Sequence, residues 1–278
     1  MCNTVGRVIG VLPEGKAVIG VTSLDNNLYV LRNKSSEQIE VYDIDSYCLQ
    51  RQLTVHALHA VFDIVACGYN GCAYVSDTSH VHRVALGFSI RPTPKWPVNE
   101  NGLLSLSLTA KHNLLVTCCE VRKIKEFTTN GKLLREVVLP EHVCSPGHTV
   151  QLSSGELIVC HGKGHDPLAL HRVCQISSDG QVVKSYGGPP GAGSQQMKLP
   201  AYMAADGNDF IFVADLNNHR VLLLSPTLTY VREVVSREQL QCLPRGLSLD
   251  VQRRRLYVAD DEYKDGKLTA GRVIVVNV

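Results

Sequence analysis

Short apolar runs separated by polar turns make up most of this chain, and the most regular example is FIFVADLNNHRVLLLSP at residues 210–226. A polar connection as brief as DLNNHR predicts two strands joined in a hairpin. Around it lie LPAYMAAD, DFIFVAD, HRVLLLS and LTYVREVV, four runs divided by DGN, LNN and SPT turns, which predict a four-stranded meander. The same signature recurs as NNLYVLR, NGCAYVSD, HNLLVTC, GELIVCH, NDFIFVAD and RRLYVAD, with Val30, Val75, Val116, Val159, Val213 and Val258 spaced by 45, 41, 43, 54 and 45 residues. Four strands per copy at that period is the arithmetic of a β-propeller blade. No run sustains a 3.6-residue apolar period long enough to demand a major helix. The expectation is an all-β, six-bladed β-propeller of four-stranded antiparallel blades, one unit over 1–278 with blades at about 16–56, 61–98, 103–140, 146–187, 199–236 and 243–278.

The sixth copy holds only three runs, LPRGLSLD, RRLYVAD and GRVIVVNV, before the chain stops, whereas GRVIGVL at residues 6–12 precedes a first copy that already has four. An unpaired strand edge invites aggregation. The spare N-terminal strand is therefore expected to complete the last blade and close the ring.

Composition narrows the class without naming a function. A chain of 278 residues that is 44% hydrophobic and 19% charged is globular in type, and a net charge of +2 gives no general attraction to nucleic acid or membrane. The start MCNTVGRVIGVLP lacks the basic region and long apolar run of a secretory signal, and no apolar run is long enough to span a bilayer. Ten cysteines form no C-x-x-C pair, and Cys118, Cys160 and Cys174 fall within apolar runs, so they are read as buried thiols of a cytoplasmic protein rather than zinc ligands. No cofactor and no metal site is expected.

At VADLNNHRVLLLS the chain resembles the NHL repeat, through Pro200, Val213-Ala214-Asp215, Asn218, His219, Arg220 and Val221. Pro244, Val258-Ala259-Asp260 and Arg272-Val273 repeat the pattern in the sixth copy, and Val75-Ser76-Asp77 with His82-Arg83-Val84 repeat it in the second. Elsewhere the aspartate position holds Arg32, Cys118 and His161, and the fourth copy keeps His171-Arg172-Val173. The resemblance implies a six-bladed propeller similar to the C-terminal NHL domains of tripartite-motif ubiquitin ligases, which select a protein or RNA target. No G-H…W-D pattern recurs, and Trp96 is the sole tryptophan, so the WD40 class does not fit. Asp215 and Arg220 are expected to pair bidentately across the hairpin as a structural brace, since a pair that recurs between repeats is scaffolding.

Function in a propeller is expected at the channel mouth. Lys16, Asp63, Ser105, His148, Tyr202 and Arg245 stand near the starts of the innermost strands, with one carboxylate among the six. Such a set is poor in the oxygen and imidazole ligands that calcium or zinc propeller enzymes need. The fourth copy inserts CHGKGHDPLAL, where His161, His165 and Asp166 read as a solvated loop in preference to a metal or acid/base cluster. The sixth inserts DDEYKDGKLTAG, where Tyr263, Lys264 and Lys267 read as exposed contacts. Arg253-Arg254-Arg255 fills a turn on the opposite face and reads as solvated, and GGPPGAG lacks the G-K-[ST] of a phosphate loop. Candidate binding residues are thus Lys16, His148, Tyr202, Arg245, His165 and Lys264, on a monomeric, non-membrane propeller whose partner is a protein, with RNA as the second reading and a metal-dependent hydrolase or lyase as the third.

Overall fold

The computed structural model describes residues 5–32, 38–55, 58, 60–87, 94–162, 169–193, 195–240, 242–265 and 267–278. Among these residues twenty-four strands form six antiparallel four-stranded sheets. The first blade is β2 (Val18–Leu24), β3 (Asn27–Arg32), β4 (Gln38–Asp43) and β5 (Leu49–Thr54), and the second β6 (Asp63–Cys67), β7 (Cys72–Ser76), β8 (His80–Ala85) and β9 (Lys95–Pro97). The third is β10 (Leu104–Leu108), β11 (Leu114–Cys118), β12 (Lys123–Phe127) and β13 (Leu133–Val138), and the fourth β14 (Pro146–Gln151), β15 (Leu157–His161), β16 (His171–Ile176) and β17 (Val182–Gly188). The fifth is β18 (Pro200–Ala205), β19 (Ile211–Asp215), β20 (Arg220–Leu224) and β21 (Tyr230–Val235). The sixth, β22 (Leu243–Asp250), β23 (Arg255–Lys264) and β24 (Lys267–Asn277), takes its outermost strand from β1 (Arg7–Val11), which pairs antiparallel with β24 through Arg7↔Asn277, Val8↔Val276 and Val11↔Ile274.

Why the repeat signature pairs an aromatic or apolar residue with valine follows from the packing. Successive side chains of a strand point to opposite faces, and here both faces are covered. Tyr29 and Leu31 join the core shared with the second blade, whereas Leu28 and Val30 join the core shared with the sixth. Six separate apolar clusters fill the six gaps between blades, and β3, β7, β11, β15 and β19 are buried almost end to end. That accounts for near-continuous apolar runs in place of simple alternation.

The Asp215–Arg220 brace differs from the bidentate pair expected. Arg220 Nε donates to Asp215 Oδ2 at 2.8 Å, and its terminal nitrogens turn to the carbonyls of Gln196 at 2.9 Å and Ala192 at 3.3 Å. Asp215 also accepts from the Lys198 amide and from Asn218 Nδ2. The carboxylate is thereby a hub that fastens the preceding inter-blade loop to its own hairpin. The sixth blade repeats it, with Arg272 Nε on Asp260 Oδ2 at 2.9 Å, Arg272 Nη2 on the Gln239 carbonyl and the Cys242 amide on Asp260 Oδ1. In the second blade His82, not Arg83, meets Asp77, at 2.7 Å. The first blade inverts the charges. Arg32 occupies the aspartate's place, pairs with Glu40 at 2.7 Å and donates to the carbonyls of Pro13, Lys16 and Gly271, tying the closing segment to the first blade.

The arginine run is bonded rather than simply solvated. Arg253 reaches the Asp25 carbonyl and Asn26 Oδ1, and Arg255 reaches the Ile44 carbonyl and Asp45, so the turn before β23 is stapled to the first blade. The sixth-blade insertion, expected as a loop, is an extension of the β23–β24 hairpin, with Tyr263↔Leu268 and Lys264↔Lys267 as its outer pairs. His165 and Asp166 lie outside the described residues.

Candidate functional site at the channel mouth

A one-residue bulge in the innermost strand builds the mouth. The ladder skips a residue between Val18 and Gly20, Pro146 and His148, Pro200 and Tyr202, and Pro244 and Gly246. A bulge bends its strand and re-aims the extra residue. The four skipped residues, Ile19, Gly147, Ala201 and Arg245, all line one cavity of about 420 Å³. Phe62 and Leu103 supply the wall from the other two blades, so all six blades contribute. Leu199, Leu216, Leu243 and Leu268 make most of the remaining lining apolar, and Tyr263 from the hairpin extension stands at the rim.

One residue beyond the bulge lies a second, deeper layer: Gly20, Asp63, Ser105, His148, Tyr202 and Gly246, each opposite the residue that precedes its blade's aspartate position. Asp63 is its keystone. Oδ1 accepts from the Ile64 amide, Oδ2 accepts from the Leu106 amide of the next blade, and the Tyr202 hydroxyl reaches both oxygens at 3.0 Å from the far side of the channel. Tyr202 in turn stacks on His148 with ring centroids 3.7 Å apart, and His148 Nε2 meets the Leu106 carbonyl at 3.0 Å. Gly20 leaves this crossing its room, since a Cβ there would lie 2.8 Å from Ile64 Cγ2 and 3.3 Å from Asp63 Oδ1.

Above the floor stand two charged residues. Arg245 is half-buried, and its guanidinium makes no hydrogen bond among the described residues. Asp261, which ends the β22–β23 ladder opposite Leu243, is fully buried; Oδ1 accepts from the Val18 amide at 2.7 Å and Oδ2 has no partner among the described residues. Burial pushes both Asp63 and Asp261 up to about 7, against the pull of their amide donors and Arg245. Burial pushes His148 and His161 down to about 4, so neither is a cation near neutrality.

These shifts oppose one another in a single pH window. An acid whose folded pKa is raised stabilises the fold fully below its unfolded value near 3.8, and that contribution is lost as pH rises through about 7. A histidine whose folded pKa is lowered stabilises above 6.5, and its contribution is lost as pH falls through about 4. Wild-type melting temperature is therefore expected to vary little between pH 4 and 7 on account of these four groups. Asp63→Asn removes one compensating acid, so its melting temperature should fall more steeply than wild type on acidification across that range; parallel curves would contradict the assignment.

Several expected site residues are placed elsewhere. Lys16 is exposed, four residues before the deep-layer position of its blade, and it does not line the cavity. Lys264 sits at the hairpin tip, outside the lining, while its neighbour Tyr263 is inside it. His148 backs the floor beneath Tyr202 without lining the cavity. The sequence reading missed Asp261, which the β22–β23 pairing carries to the mouth beside Arg245; the doubled aspartate after Val258-Ala259 was its only signal. No group of three or more His, Cys, Asp or Glu side chains that could hold a metal ion occurs among the described residues, and no described helix is long and apolar enough to cross a membrane.

Solved propellers share this architecture. Virginiamycin B lyase from Staphylococcus aureus is similar with a TM-score of 0.64 at 9% identity, over 96% of this chain and 98% of that one. A streptogramin B lyase gives 0.62 at 14% identity over 95% of each chain, and hydrazine synthase of Kuenenia stuttgartiensis gives 0.61 at 13%, over 95% of this chain and 98% of that one. The likeness is one of fold. No protein-family model and no curated protein sequence matches the chain.

Proposed function

We propose that the chain is a non-enzymatic recognition propeller whose channel mouth seats a segment of a protein partner. The observation that carries this is the lining. A concavity of about 420 Å³ falls within the range of ligand-sized sites, and here it is walled by leucines, prolines, Phe62 and Ile19 from six blades. Apolar anchors buried at the centre of an interface supply most of its affinity. The deep polar layer supports the same reading, because both oxygens of Asp63 are engaged by amides and by Tyr202, which suits a rigid floor better than a reactive group. The Val-Ala-Asp and His-Arg residues accord with an NHL-type propeller, and hence with a cytoplasmic substrate-recognition role in a protein of the tripartite-motif kind.

RNA recognition is the weaker alternative. It calls for a run of basic groups along the bound backbone, and among the described residues the lining offers Arg245 alone, with His148 uncharged and Lys16 outside it. A lyase or hydrolase role, the activity named for two fold neighbours being that of a lyase, is the third reading.

Ala201→Trp tests the reading by filling the cavity from a bulge position. A protein partner purified on the immobilised wild-type chain should lose at least tenfold in affinity for this variant and retain it for Val183→Trp on an exposed outer strand. Equal binding to both variants, or tight RNA binding that weakens steeply with salt, would overturn it.

A further inference from the structure

The lining is largely apolar, and where polar groups such as Asp63 and Tyr202 do line it they bond one another, but at one place two groups of opposite type with unused hydrogen-bonding capacity stand in the same wall. Arg245 has five N–H donors and none is used within the described chain. Asp261 is fully buried in the wall of the same cavity, with one oxygen unpartnered among the described residues. Buried polar groups without partners cost free energy, so this corner is complementary to a ligand that brings the missing partners. A guanidinium fork matches a carboxylate bidentately and more strongly than any neutral acceptor.

We infer that the mouth recognises a carboxylate carried on an apolar stem, with Arg245 gripping one edge of the carboxylate and Asp261, in its protonated form, donating its free oxygen's hydrogen to the other. The apolar stem lies against Phe62, Leu199, Leu216 and Leu268. Taken with the protein-recognition reading, on which this identification of the partner rests, the ligand is the acidic side chain or C-terminal carboxylate of an apolar partner segment.

The charge balance requires a proton. The groups facing Asp261 are Arg245 on β22, Arg32 on β3 and Asp260 on its own strand, with Asp63 on β6 lining the same cavity. Two ionised carboxylates beside one arginine would repel an arriving third. Burial already holds Asp261 and Asp63 near the point of protonation, at about 7 each, so an arriving anion draws a proton from solvent onto Asp261. By linkage the affinity for a carboxylate falls as pH rises through that value, by up to about tenfold per unit. An amine would show the opposite trend, since ionised Asp261 favours it.

The test uses three probes on one stem, 4-phenylbutyrate, 4-phenylbutanamide and 4-phenylbutylamine, titrated calorimetrically against the whole chain. The expected result is binding by the carboxylate, at least tenfold weaker binding by the amide and none by the amine. Arg245→Met should cost the carboxylate at least tenfold with its melting temperature retained. Affinity for the carboxylate should be about tenfold higher at pH 6.5 than at pH 8.5, and Asp261→Asn, whose amide donates without titrating, should bind with that pH dependence removed. Amide binding equal to carboxylate, preferential amine binding, or an unchanged Arg245→Met variant would overturn the inference. If no probe binds but the purified protein partner is still lost from Ala201→Trp, the carboxylate assignment fails and protein recognition stands. If the carboxylate binds as expected but no protein partner depends on the mouth, the assignment stands and protein recognition fails.

Discussion

Deleting residues 1–12 is expected to abolish cooperative folding of the whole chain, although the segment is a small fraction of it. β1 is the fourth strand of the sixth blade, and its loss would expose the ladder edge of β24 from Ile274 to Asn277. Val8 also packs in the core between the fifth and sixth blades, and Leu12 in the core between the sixth and first. The damage reaches the ring itself, because within the segment the Gly6 amide donates to the Val234 carbonyl, the Gly6 carbonyl accepts from Gln239 Nε2 and the Leu12 amide donates to the Val273 carbonyl. An open ring leaves two apolar blade faces, those of Tyr257 and Val275 on one side and Val18 and Leu28 on the other, held together by far less. Circular dichroism melting checks it: the truncated chain should show a broad, low-temperature transition or aggregate, and a sharp melt at the wild-type temperature would refute closure.

Asp215→Ala should be the most damaging single substitution outside the apolar cores. The carboxylate is fully buried and serves the Lys198 amide, Asn218 and Arg220 together. Burial pushes it above the ordinary carboxylate range in spite of Arg220, so the charge is not a net source of stability. Its removal is costly for another reason. Arg220 Nε and the Lys198 amide would lose their acceptor and Asn218 one of its two, leaving a guanidinium without its counter-charge, which for a broken buried ion pair costs roughly 3–5 kcal/mol. For a chain of this size that lowers the melting temperature on the order of 10 °C. Asp215→Asn keeps an acceptor but turns a donor toward the network, and it should fall between the two. An alanine variant within a degree or two of wild type would show that the hub is dispensable.

The ring was legible in the sequence because it depends on counting. Six Val-centred strands, a three-run sixth copy and a spare N-terminal run leave few arrangements that satisfy every strand edge. The mouth was legible only in part. Tyr202, Asp63 and Ser105 could be found by aligning strand starts, but bulges in four of the innermost strands displace the lining by a residue that no composition rule marks. Arg245 was grouped in consequence with a layer one residue deeper than its own, whereas Lys16 lies three residues before the bulge residue of its blade, further than the bulge accounts for. Arg32 shows a different limit. Reading for Asp-to-Arg pairs passed over the first blade, while the structure keeps an ion pair there between Arg32, in the aspartate's place, and Glu40, opposite Val30 on the next strand. A pairing rule survives charge reversal; a sequence pattern does not. His161, in the aspartate position of the fourth blade, is buried with neither ring nitrogen hydrogen-bonded among the described residues, and nothing described around it accounts for that residue there.

The most direct measurement for the account as a whole is site-specific photo-crosslinking from the mouth. A benzoylphenylalanine at position 201 lies on the bulge of the fifth blade within the cavity lining, and one at position 183 lies on an outer strand far from it. In cell extract the residue at 201 should yield protease-sensitive, nuclease-resistant adducts that excess 4-phenylbutyrate suppresses, while the residue at 183 yields none. Adducts at 183 alone, or nuclease-sensitive adducts at 201, would contradict it.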